Sequence, residues 1–272
     1  MTFKNIRKGI VISYPAFEEQ RYRIELLRFV RTLQALVAEH TLKSTIFKTA
    51  YNSNVRQDDI SNQLELAMDY IKIKAAYELS KVVSGLVKQA AKIELFSRNS
   101  FKRLGETLES PQSISSTPKV IVDELKLWAL DNTRLIKSIP EQMLDRVAHV
   151  ITEGVRAKTS ITALAKELQA AFNISKNRAK LIARDQVAKL NGRLTKHRNL
   201  ALGITEYKWL TGRDERVRDS HKVLEGKICS WKDDTIYKEH NSGTWKKRST
   251  IRGTQTSVGL DVMCRCTSMA VL

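Results

Sequence analysis

Two pieces of the chain hold most of the side chains that could do chemistry. The first runs from Tyr207 to Lys227 and contains Asp214, Glu215, Asp219 and His221. The second, GLDVMCRC, runs from Gly259 to Cys266. Cysteine and histidine are the usual donors to a structural zinc, and a small α+β lobe with long loops gains from such a staple. His221, Cys264 and Cys266 are therefore candidate zinc ligands. One residue between two thiols is not the usual knuckle spacing, so Cys229, His240 or water would complete the set. The competing reading makes the cysteines small buried apolar residues and pairs Arg265 with Asp214 or Asp219. The same stretch also admits a metal-dependent nucleic-acid hydrolase. There, Asp214 and Asp219 would hold the metal and His221 would act as base. The neighbouring Arg213, Arg216 and Arg218 favour ion pairs in a turn instead.

These residues need a frame, and the frame is mainly helical. Residues 16–39 place Phe17, Ile24, Leu27, Phe29 or Val30, Leu33 and Leu36–Val37 at three- and four-residue steps, the signature of an amphipathic helix. A second long helix, capped near Asp58, carries Leu64, Met68, Ile71, Ala75, Leu79, Val82, Leu86 and Ile93. The Ser- and Pro-rich stretch from Glu109 to Thr117 reads as a linker. Thr117-Pro118 opens a third helix bearing Val122, Leu125, Leu127, Trp128 and Leu135. Ile139-Pro140 is expected to break it and start a fourth, over 141–156, with Met143, Val147, Val150 and Ile151 inward. Thr159-Ser160 caps a short helix with Leu164 and Leu168, and Ser175 caps a last long one that stops at Gly203.

Beyond Gly203 the period changes to two. Residues 204–210 predict a strand, with Trp209 as core. Thr211–Asp214 predicts a turn, and Glu215–Val223 a short helix or irregular turn. A short strand pair is expected around Gly226, then a long loop over 230–256 with room for one hairpin, then a closing strand from Cys264 to Leu272. Trp231 and Trp245 lie in that loop among basic residues; both base stacking and burial are open to them. The fold class is thus mainly α with a small C-terminal α+β module. The organisation reads as a helical region 1–110, a linker 111–118, a helical part 119–203 and the module 204–272.

The net charge is +18. The excess is densest in residues 138–203, with twelve basic residues against five acidic. On the last long helix Ala179, Ala183, Val187, Leu190 and Leu194 form one apolar stripe. Lys176, Lys180, Arg184 and Arg198 border one edge of it, and Arg178, Lys189, Arg193 and Lys196 lie on the far side. Such density of charge suits contact with DNA phosphates; basic stems laid over an apolar stripe are the alternative. Three cysteines do not make a disulfide framework and fit a reducing compartment. No apolar run approaches the ~20 residues of a membrane span, and the four-residue apolar run near the start is too short for a signal peptide. The protein is expected to work where it is made, without membrane contact.

Three motifs carry a family resemblance. One is W-x-x-x-N-x-x-L-I-K-x-I, from Trp128 through Asn132, Leu135, Ile136 and Lys137 to Ile139. Another is SKNRAKLIARDQ, from Ser175 to Gln186. The third combines Trp209, Asp214, Arg218, His221 and Gly226 with Cys264-Arg265-Cys266. Together they resemble the phage head morphogenesis proteins, minor capsid proteins of the phage Mu F and SPP1 portal-associated type, over about residues 120–270. The resemblance implies a non-enzymatic virion component of a tailed phage or prophage. It would be made in the host cytoplasm and lie inside the capsid near the portal. Its implied partners are the portal protein, double-stranded DNA and the major capsid or scaffold protein, in head assembly and DNA packaging or ejection. The N-terminal helices would dock on the portal or shell. Two departures stand out: Asp185-Gln186 where Thr-Glu is usual, and Ser257-Val258 where His-Pro is frequent. Some members carry C-terminal toxin domains; the six residues after Cys266 are expected to carry no such cargo.

Overall fold

The computed structural model describes residues 11–44, 57–107, 118–241 and 243–271. The expected cap at Asp58 and the linker 109–117 lie outside the side chains or residues described. Four long helices come first: α1 Ala16–His40, α2 Gln57–Thr107, α3 Lys119–Arg156 and α4 Ile161–Ala201. A five-stranded antiparallel sheet follows, built from β1 Glu206–Leu210, β2 Ile228–Ser230, β3 Ile236–Lys238, β4 Lys246–Lys247 and β5 Thr267–Ala270. The fold class read from the sequence is the one observed.

Two helix boundaries differ from expectation, for identifiable reasons. Pro140 lies inside α3 and does not end it. Ile136, Ile139, Met143, Leu144 and Val147 on either side of it are all buried. Their packing outweighs the ~3 kcal/mol that an internal proline costs. Ser175 is likewise internal to α4, where its hydroxyl donates back to the Ala171 carbonyl instead of capping. Ser160 does cap, accepting from the Ala163 N–H at 3.2 Å, and α4 stops just before the left-handed Gly203.

The phase of two stripes also shifts. On α1, Phe17 and Ile24 are exposed, while Tyr22, Leu26, Phe29, Val30, Leu33 and Val37 are buried. Tyr22 can go inside because its hydroxyl donates to Asn132 Oδ1 at 2.7 Å. On α3, Val122 and Leu127 face outward and Ile121, Trp128 and Asn132 inward. The Trp128 indole N–H donates to the Gln186 carbonyl at 2.8 Å. The apolar stripe of α4 is buried throughout, as its spacing predicted.

The chain divides into two compact units, each made of separated segments. One takes the described residues of Met1–Glu19, Val87–Trp128 and Arg184–Leu272; the other takes those of Gln20–Leu86 and Ala129–Ala183. The first unit contains the sheet, in the order β4-β3-β2-β1-β5. Strand β1 alternates as predicted, with Tyr207 and Trp209 buried and Glu206, Lys208 and Leu210 half-buried. Trp231 is buried too and stacks on Tyr207 at 3.9 Å, whereas Trp245 is exposed with the Lys238 ammonium over its ring. Gly226 does not close a strand pair. It sits at φ +75° and donates to the Trp209 carbonyl, turning the chain into β2, which pairs with β1.

Within this unit the loop before the last cysteines lies tightly on α4. A Cβ at Gly192 would stand 3.1 Å from the Val258 carbonyl oxygen and 3.3 Å from the Leu260 side chain. The Met263 N–H donates to Asp185 Oδ1 at 3.0 Å. Gly192→Leu is expected to destabilise the fold by about 1–3 kcal/mol through overpacking against fixed backbone. Urea titration should show a lower midpoint with an unchanged slope.

Candidate functional site

The site begins with a turn and an extended run. Asp219–Lys222 forms a single helical turn, α5, which buries His221. Cys264 and Cys266 lie in the approach to β5, and in extended chain residues two apart share a face. The one-residue spacing thus brings both sulfurs to the same imidazole. His221 Nδ1 is 3.4 Å from Cys266 Sγ and 3.6 Å from Cys264 Sγ. The three donor atoms all lie within 4.8 Å of one another and all three residues are buried.

The other imidazole nitrogen is held as well. His221 Nε2 donates to Asp261 Oδ2 at 2.8 Å, since a carboxylate can only accept. With Nε2–H engaged by Asp261, Nδ1 is the ring nitrogen that faces the sulfurs. Asp261 is positioned by the Thr254 hydroxyl, which donates to the same oxygen at 2.7 Å. Thr254 is positioned in turn by Arg248, which is fully buried beneath the sheet. Its guanidinium donates to the carbonyls of Thr254, Thr256 and Ile236 and to the Tyr207 hydroxyl. The indole of Trp209 meets His221 edge to face at 5.5 Å. Arg248, Thr254 and Asp261 carry no sequence signal of their own. Asp261 lies within the quoted GLDVMCRC run, but nothing in its spacing assigns it to His221.

The cysteines share one ionisation. The Cys266 thiol donating to Cys264 pushes the Cys264 pKa down, with His221 adding to the effect against burial. Cys266 moves up, because the neighbouring Cys264 takes the charge and burial disfavours a second one. Burial pulls the His221 pKa down, but Cys264 and Asp261 outweigh it and the net shift is upward. Each of these shifts rests on the same short contacts.

Two more contacts close the clasp. Arg265 pairs with Asp214, and Arg218 Nη2 donates to the Val262 carbonyl at 2.6 Å. The family-motif residues Trp209, Asp214, Arg218, His221 and Arg265 therefore join the 207–227 segment to the C-terminal residues, while Gly226 turns back on Trp209 within that segment. A pocket of about 230 Å³ opens beside the cluster, lined by Arg184, Arg216, Arg218 and Arg265 together with His221 and both cysteines.

Other predicted site residues lie elsewhere. Cys229 is on β2, buried in the core near Tyr207 and Arg248, and is not part of the donor cluster. The strand pairing that places it opposite Tyr207 carries it away from His221. His240 is exposed in the turn after β3. Asp214 is occupied by Arg265, and Asp219 is exposed and pairs with Lys222, so neither acid converges on His221. Among the described residues, His221, Cys264 and Cys266 form the one group able to hold a metal.

Of the eight α4 cations singled out for DNA contact, five have internal partners. Arg178 donates to Ser138, Lys189 pairs with Asp185, Arg193 with Glu124 and Lys196 with Asp234. Arg198 is buried and pairs with Glu94 at 2.5 Å. Lys176, Lys180 and Arg184 make no hydrogen bond or ion pair among the described residues, and Lys180 is exposed.

Residues 145–269 match the family model described as phage Mu protein F like protein. The chain carries a phage Mu F-like region. The chain is also 31% identical over 152 residues to an uncharacterized protein of Haemophilus influenzae, covering 56% of this chain. It spans only 30% of that relative's length. No solved structure matches it. The Mu F-like region contains the last three turns of α3, all of α4, the clasp and nearly all of the sheet. Its departure at Asp185-Gln186 has a local role, because Asp185 receives the Met263 N–H and Gln186 supplies the carbonyl for Trp128. At the second departure Ser257 donates to Asp234.

Two consequences are measurable. Arg248→Met should lower stability by about 2–4 kcal/mol, because several charge-assisted hydrogen bonds are lost and their acceptors stay buried. Guanidinium denaturation reads this directly. The Cys229 thiol, which burial pushes up to about 11, should resist an aromatic disulfide reagent at pH 8 until the protein is unfolded. Rapid native-state labelling mapped to Cys229 by mass spectrometry would contradict its placement.

Proposed function

We propose that this chain is a minor capsid protein of a tailed phage or prophage, associated with the portal and acting in head assembly and in packaging or ejection of DNA. The family match over residues 145–269 carries the reading, since it points to phage head morphogenesis. Among the described residues no helix is long and apolar enough to cross a membrane. The Asp214, Asp219 and His221 arrangement needed for a nucleic-acid hydrolase does not assemble, which favours a non-enzymatic role.

Docking on the portal or inner shell falls to α2 in this reading. Leu66, Tyr70, Ile73 and Tyr77 recur at helical steps and stay exposed, Leu66 at 68% and Ile73 at 70%. An apolar stripe on a helix, turned to solvent, suits a partner protein. DNA contact falls to the α4 cations without internal partners, Lys176, Lys180 and Arg184. Of the other five, four pair with carboxylates and Arg178 donates to Ser138.

Co-purification with a portal protein of the same phage or prophage tests the first half. Ile73→Glu combined with Leu66→Glu should abolish it while the circular dichroism spectrum stays native. Retention by that variant would rule out the stripe, and no retention of the unaltered chain would rule out the portal. For DNA, affinity should fall steeply with salt. Lys176→Ala with Lys180→Ala should reduce the log–log salt slope by about one to two. An isotherm indifferent to salt would sink the DNA contact.

A further inference from the structure

We propose that His221, Cys264 and Cys266 bind one zinc ion through three protein donors, and that a phosphate-type oxyanion held by Arg184 and Arg216 occupies the fourth position. This goes beyond the head-protein reading and does not depend on it.

The donor geometry is the first support. Tetrahedral zinc with ordinary bond lengths places sulfur and nitrogen about 3.6 Å apart. The two sulfur–nitrogen distances here are 3.4 and 3.6 Å. A single ring nitrogen stands at nearly equal distance from both sulfurs, as a shared ion requires, whereas one N–H cannot point along two directions at once. Thiolate and imidazole donors suit zinc and not the hard, oxygen-seeking Mg²⁺ or Ca²⁺.

The surroundings of the donors are the second. The His221–Asp261 contact reproduces the carboxylate–histidine arrangement that orients a ring toward a metal. The Cys266 N–H donates to Cys264 Sγ at 3.4 Å, stabilising a thiolate at the inner donor.

The third support is the pocket. With Cys229 in the core, three protein donors remain, and the cavity of about 230 Å³ gives access to them. Two thiolates already cancel the charge of a zinc dication, so the centre alone has little pull on an anion. The arginines supply it. None of the residues lining the pocket is a carboxylate, and the side chains of Arg184 and Arg216 make no hydrogen bond or ion pair among the described residues. Guanidinium groups match the oxygens of a phosphate in shape and charge.

The test uses the full chain. Elemental analysis should find one zinc per chain, retained by Cys229→Ser and lost by Cys264→Ser and Cys266→Ser. X-ray absorption on the unaltered zinc protein should show two sulfurs, one nitrogen and one oxygen, and this readout stands even where the serine variants do not fold. After cobalt substitution, inorganic phosphate should shift the visible bands. Arg184→Ala with Arg216→Ala should keep the cobalt and need about ten-fold or more phosphate for the same shift. A 5′-phosphorylated oligonucleotide and its unphosphorylated twin separate a nucleic-acid end from free phosphate as the source. Zinc content unchanged by the Cys264 and Cys266 substitutions, or a shell without two sulfurs, overturns the metal site. A cobalt spectrum indifferent to phosphate and to the phosphorylated oligonucleotide overturns the oxyanion.

Discussion

A buried imidazole engaged at both nitrogens is the contact on which the C-terminal architecture turns. His221 reaches from a single helical turn to two sulfurs on one side and to Asp261 on the other. A four-residue helix has almost no stability of its own, so its position depends on these contacts and on Trp209 packed against the ring. The loop from 257 to 264 has little regular structure to hold it. Asp261, the Arg218 bond to Val262 and the Asp185 bond to Met263 hold it instead. Arg248 works one layer further in: it fixes the carbonyls around Thr254, and Thr254 fixes Asp261.

Helix α4 is the second constraint. Its segment from Arg184 onward gives the loop a surface to lie on, and Gly192 permits the close approach. Many of its charges are turned to the same purpose. Lys189 meets Asp185, Arg193 meets Glu124, Lys196 meets Asp234 and Arg198 meets Glu94 within the same unit. Removing a cation from water is costly unless a carboxylate meets it, so Arg198 at 4% exposure belongs to the interior and not to a DNA surface. The +18 charge of the chain therefore overstates how many cations on this helix face outward.

The family relation and the geometry support each other. The positions that carry the resemblance, from Trp209 to Arg265, are those that close the clasp around His221. A small sheet built from short strands gains from such a tie. Asp214 and Asp219 point to arginine and lysine partners and not to one another.

Much of the frame was determined by the sequence alone. The mainly helical frame, the buried face of α4, the alternation of β1, the closing strand and the link between the 207–227 segment and the final cysteines all follow from periodicity and residue type. Periodicity reports which side of an element is apolar, so it succeeds where burial is uniform along a face. It misplaced the phase on α1 and α3, where Tyr22 and Asn132 satisfy each other inside and rotate the stripe. It ended helices at Pro140 and Ser175, where packing outweighs local preference. The tertiary structure alone decided the partners: Asp261 for His221, the arginine pocket, the core position of Cys229 and the inward pairs of the α4 cations. Those pairings join residues tens of positions apart, and a contact between two side chains leaves no period in the sequence of either.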